Sequence, residues 1–264
     1  MNEIAMWMTH LHAEGKANRT IKDRRIVLTR FATDLGRPII NATTEDIAEW
    51  LGRDDLSPVT RSVYHSMLKN FYAWAIATGR RDDNPILPIR PAKRPRRQPR
   101  PITIEQFKRL TATTDVQLRA MVLLGSLQGF RVHEIARFHA RHLDPEARTI
   151  EVTGKGGATY ILPVHDAILA IAHRMPKGYW FPSQRAVHIG GRTVTQRLRL
   201  HMIAQRVPGT PHCLRHFYGT ELVAGGADLR VAQELLRHAS LQTTAIYVAT
   251  TDDRKRAAID RLAA

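Results

Sequence analysis

The sequence predicts a mainly α fold carrying a small β-sheet, divided into a helical bundle over residues 1–85, a linker over 86–100 and an α+β domain over 101–264. Three observations predict it. Apolar residues recur at helical spacing through the first part. The stretch 86–100 holds four prolines and six basic residues with no acid, and proline removes backbone donors and keeps the chain extended, so this stretch cannot belong to a packed helix. Two short β-prone runs, Thr149–Thr153 and Thr159–Pro163, flank Gly154-Lys155-Gly156-Gly157, which is the signal of a hairpin.

Each element has a local reason. Ile4, Trp7, Met8 and Leu11 mark a first helix, and Ile21, Leu28, Phe31 and Leu35 a second from about Thr20 to Leu35. Thr43 followed by Asp46 starts a third that ends near Leu51. Ser57-Pro58 gives a fourth helix an N-cap and a first-turn proline, and Gly79 is placed to stop it. Trp7, Phe31, Trp50, Phe71, Tyr72 and Trp74 fall on the apolar stripes and are expected to pack the bundle. In the second part, Thr103 with Gln106 forms a capping box for a helix through about Thr111, and residues 118–127 read as a buried helix. Further helices are expected near 165–174, 192–206, 211–225, 228–236 and 252–262, punctuated by Pro208-Gly209 and Gly225-Gly226.

Composition narrows the partners. The 40 Lys+Arg against 24 Asp+Glu leave a formal charge of +16, and such an excess attracts polyanions and releases their counterions on binding. Nucleic acid is the expected partner. No run approaches the ~18 apolar residues of a membrane span, and Met1-Asn2-Glu3 lacks the layout of a signal peptide, so a cytoplasmic protein is expected. Cys213 is the sole cysteine, which excludes an intrachain disulfide and a thiolate zinc site. In the linker, Arg90, Lys93, Arg94, Arg96, Arg97 and Arg100 are either a solvated basic spacer or a segment lying across phosphates.

Six polar residues of the second part carry the chemistry: Arg131, Lys155, His212, Arg215, His238 and Tyr247, in GFRVHEI, TGKGG, TPHCLRH and LLRHASLQTTAIY. Cleaving a phosphodiester requires neutralising its oxygens and protonating a poor leaving alkoxide. Arginine suits the first task, because its planar fork donates two hydrogen bonds to phosphate and never loses its proton. Arg131 reads either as one of a phosphate-gripping pair with Arg215 or as a surface ion pair with Glu134, which in the first reading buttresses the fork from behind. His212 and Arg215, three apart, share one face of a helix starting near Pro211, where anions bind well. Lys155 sits on the hairpin tip, as a solvated turn lysine or a proton donor to the departing oxygen. The glycines around it lack the spacing of a P-loop. The histidines show no His-Glu-x-x-His pattern, so no metal and no cofactor is expected. Tyr247 becomes a plausible nucleophile where cations ease loss of its proton.

Taken together, in their order and spacing, these motifs resemble the tyrosine recombinases, also called the phage integrase family, with a Xer-like form of the C-terminal motifs. The resemblance implies that residues 1–85 form the helical core-type DNA-binding domain and residues 101–264 the catalytic domain. It implies that Tyr247 attacks the scissile phosphate to give a 3′-phosphotyrosine and a free 5′ hydroxyl, that Arg131, Arg215 and His238 stabilise the transition state, that Lys155 is the general acid and that His212 assists as acid or base. A homotetramer on two sites in double-stranded DNA, linked by exchange of the C-terminal helix, is implied too, with an accessory directionality factor as a further partner. In Leu236-Arg237-His238 an arginine stands where the family usually has glycine, and is expected to add a phosphate contact. The chain is expected to begin at the bundle with no arm-binding domain, which weakens the case for control by arm sites. This does not separate a compact phage or mobile-element integrase, the preferred reading, from a resolvase of chromosome or plasmid dimers. A Xer-type dimer resolvase, a type IB topoisomerase and a non-catalytic DNA-binding protein are the alternatives.

Overall fold

The computed structural model describes residues 2–95, 100–154 and 157–237. The chain divides into two compact units, Met1–Arg97 and Gln98–Ala264.

The first unit packs α1 (Glu3–Ala13), α2 (Asn18–Leu35), α3 (Thr44–Gly52) and α4 (Pro58–Ala77), with a 3₁₀ turn at Ile39–Asn41. Their ends follow local chemistry. Thr43 and Asp46 close a reciprocal capping box, Ser57 accepts from the Thr60 amide ahead of Pro58, and Gly79 takes up a left-handed φ of 66° just beyond α4. All six expected packing aromatics are buried, with Trp7 edge-on to Phe71. The proline-rich stretch begins inside this core rather than as free spacer. Ile86 is fully buried with the bundle side chains, the Ile89 carbonyl bonds His65 Nε2 at 2.7 Å, and Arg94 Nε donates to Ser62 on α4. As its prolines require, residues 86–95 form no helix.

The second unit has a main core and a small second cluster of Tyr218, Val223, Ala232 and Leu236. The main core is built around α6 (Val116–Leu127), whose residues from Ala120 to Ser126 are all buried. Against α6 lie α5 (Ile104–Thr111), opened by the Thr103–Gln106 capping box, α8 (Asp166–Ala172), α9 (Gly191–Ala204) and α10 (His212–Ala224). The short α7 (Val132–Ala136) packs on α9, and α11 (Leu229–Leu236) packs on α10. The sheet is an antiparallel β1-β2-β3 of Leu143–Asp144, Thr149–Thr153 and Thr159–Pro163, with Thr153 opposite Thr159 at the hairpin end. Ile150 and Val152 alternate inward on β2. The two-residue β1 and the 3₁₀ turn at Ala140–His142 escape sequence reading, being too short for any period to show. Among the described residues, no helix is long and apolar enough to cross a membrane.

Candidate active site

The loop after α6 and the start of α10 build the site. Gly129 has φ 62°, and a Cβ there would lie 2.4 Å from the Tyr218 ring, so only glycine fits. This turn delivers Arg131 to the N-cap of α7, one residue ahead of the helix in which the sequence reading placed it. Glu134, three residues on, is 4% exposed and bonds Arg131 twice: Oε2 accepts from the backbone N–H at 2.7 Å, and Oε1 from Nη1 at 3.0 Å. Arg131 keeps a third of its side chain exposed.

Helix α10 approaches α6 closely enough that a Cβ on Gly125 would meet Leu214 at 3.1 Å. This contact fixes the neighbours of Leu214 in turn. Arg215 is 2% exposed, and its Nη1 and Nη2 donate to the carbonyls of Gly129 and Leu236, fixing the plane of the guanidinium. His212 is the first residue of α10 and lines, with Arg131, His133, Thr195, Thr210 and Pro211, a cleft of ≈ 330 Å³. The helix N-terminus adds partial positive charge to that cleft. Partial desolvation, then Arg215 and Arg131, hold the His212 imidazole below its ordinary value and so favour its neutral form, although the residue keeps an exposed face. The His216 ring stands 4.3 Å from it, edge to face, and burial, then His212 and Arg215, push His216 down to about 4.

Arg237, expected from the sequence to add a phosphate contact, is instead turned into the protein. It is 8% exposed, and Nη2 donates to Glu134 Oε2 at 2.9 Å and to the Gly129 carbonyl at 3.3 Å, with the guanidinium 5.2 Å from the centre of the Phe130 ring. The correction has a plain cause: the end of α11 packs beside the Gly129 turn, and a buried carboxylate there recruits the nearest cation. Sequence reasoning missed Gly129, whose turn builds the site, and His133, which lines the cleft. Gly129 is signalled only by standing two before Arg131, and nothing in the sequence sets His133 apart from the other histidines. His133 stays exposed, though partial desolvation, the largest cause, lowers its pKa.

Of the remaining expected residues, Lys155, His238 and Tyr247, with Arg96 and Arg97, lie outside the described residues. Arg90, Lys93, Arg94 and Arg100 are exposed. Among the described residues no group of His, Cys, Asp or Glu is placed to share a metal ion.

Known proteins match the chain across this architecture. The model of the Phage integrase family matches residues 101–254. The chain is 32% identical over 261 residues to tyrosine recombinase XerD of Caulobacter vibrioides, spanning 90% of this chain and 84% of that protein. This protein belongs to the tyrosine recombinases of the phage integrase family. It is a site-specific recombinase, a DNA strand transferase. Among solved structures, the integrase from mycobacterium phage Brujita is 39% identical, covering 98% of this chain and 92% of that one at a TM-score of 0.54. A lambda integrase dimer bound to a core site shares the fold at a TM-score of 0.76 and 20% identity, covering 91% of this chain and 95% of that one.

Proposed function

We propose that this recombinase is a phage or mobile-element integrase that joins two double-stranded DNA sites through a 3′-phosphotyrosine intermediate. The observation that carries the chemistry is the pairing of Arg131 and Arg215 behind one cleft with neutral His212, each arginine fixed by the protein before any phosphate arrives. Preorganised cations act at no reorganisation cost when charge develops on the phosphate. The greater identity to a phage integrase than to the Xer protein favours integration over dimer resolution.

In the proposed reaction the Tyr247 oxygen attacks phosphorus, its proton passing to a base for which neutral His212 is suited. The bond to the 5′ oxygen breaks, and Lys155 gives that oxygen a proton. Arg131, Arg215 and His238 carry the charge on the non-bridging oxygens. A 5′ hydroxyl of the partner strand then attacks the phosphotyrosine and frees Tyr247, so bond energy is retained and neither ATP nor metal is consumed. Exposed Arg90, Lys93, Arg94 and Arg100, with Arg96 and Arg97, would track the backbone of each duplex. The working assembly is a cytoplasmic tetramer on DNA linked by C-terminal helices, with a directionality factor governing reversal.

Two experiments test this reading. Lys155→Ala slows cleavage of an ordinary nicked duplex but cleaves a 5′-phosphorothiolate substrate at close to the wild-type rate, because that leaving group needs no proton; a Lys155→Ala variant equally slow on both removes the general-acid role. With candidate sites taken from the flanking genome, the protein recombines a phage-type site on one circle with a host-type site on another. Exchange confined to two identical sites would assign it to dimer resolution instead.

A further inference from the structure

The buried carboxylate of Glu134 poses an electrostatic problem for a phosphate-binding cleft. Its side chain has no solvent exposure, and it sits against Arg131. Arg131, Arg215 and Glu134 alone would present one net positive charge to a phosphodiester that acquires a second negative charge on the way to the five-coordinate transition state. Arg237, with its side chain 1% exposed, bonds the Glu134 oxygen that also takes the Arg131 backbone N–H. It shares the Gly129 carbonyl with Arg215 as well. It therefore touches the supports of both arginines.

The backbone at Arg237 adds a second, independent observation. The residue caps α11 in the left-handed conformation, φ 54° and ψ 48°, where glycine sits without strain and a side chain does not. Helix termination alone would favour glycine. The arginine is held there by its bonds to Glu134 and Gly129 and by the Phe130 ring.

We propose that Arg237 is a positioning residue for catalysis: it neutralises Glu134, so that this carboxylate can orient Arg131 without drawing down the positive charge that the cleft offers to phosphate. The proposal rests on the reading of Arg131 as a group that grips the scissile phosphate. Single-turnover cleavage of a nicked duplex by the full-length protein tests it. Arg237→Gly relieves the backbone strain and is expected to cleave about ten- to hundredfold more slowly, with DNA affinity and its salt slope unchanged. Adding Glu134→Gln to Arg237→Gly restores the charge balance while an amide oxygen still accepts from Arg131, and is expected to recover most of the rate. Arg237→Lys and Arg237→Met carry the same comparison with side-chain bulk kept, and only the lysine variant should retain cleavage.

Wild-type cleavage by Arg237→Gly, a double variant no faster than Arg237→Gly, or equal losses in the lysine and methionine variants would overturn the proposal. So would a salt slope lowered by about one in Arg237→Gly, which would make Arg237 a phosphate contact. Arg131→Ala separates the two levels. If it cleaves normally, the underlying reading of Arg131 fails, whereas an inactive Arg131→Ala beside a normal Arg237→Gly removes only the role of Arg237.

Discussion

Gly129 shows how much of the site depends on one backbone conformation. Its left-handed φ and the Tyr218 ring exclude any side chain, and its carbonyl anchors both Arg215 and Arg237. Gly129→Ala is therefore expected to lower stability by about 2–4 kcal/mol, from the left-handed penalty together with overpacking, and to lower cleavage further than that loss explains. Urea melts beside single-turnover rates check this; a variant of normal stability and activity contradicts it. His212 makes a prediction of opposite character. Its pKa lies below the ordinary 6.5 because partial desolvation and two arginines disfavour the charged ring. If the neutral imidazole takes the tyrosine proton, cleavage declines only as pH falls below 6.5, and the acid limb flattens in His212→Gln. A limb unchanged in that variant assigns it to another group.

The elements set the distances that these residues need. The Gly125–Leu214 contact lets α10 lie against α6, which brings the Arg215 fork to the carbonyl of Gly129. Gly125→Val is expected to push the two helices apart, costing about 1–3 kcal/mol of stability and slowing cleavage without changing DNA affinity. Retained cleavage would show that the spacing tolerates change. This level also marks what the sequence makes legible. Helix starts at Thr43, Ser57 and Thr103 and the β2–β3 hairpin were readable because their causes lie within a few residues. The bond between Arg237 and Glu134 spans 103 positions, and nothing local distinguishes that arginine from an exposed one. Only packing of α11 on α10 brings it inward. The burial of Ile86 was hidden for a related reason, since prolines exclude a helix but say nothing about where an extended chain packs.

At the scale of the molecule, a charge of +16 and two compact units suit a protein that handles DNA, and family membership makes strand transfer its chemistry. In the proposed mechanism Tyr247 is the nucleophile, served by cations that the fold fixes in advance. Trapping decides it most directly. A nicked duplex carrying the recombination site lets the small 5′ fragment diffuse away, so cleaved protein stays bound to the 3′ phosphate. Incubated in EDTA, digested and analysed by mass spectrometry, the adduct is predicted to map to the peptide containing Tyr247 and to be absent from Tyr247→Phe. An adduct on another residue, or one that persists in Tyr247→Phe, would contradict the account.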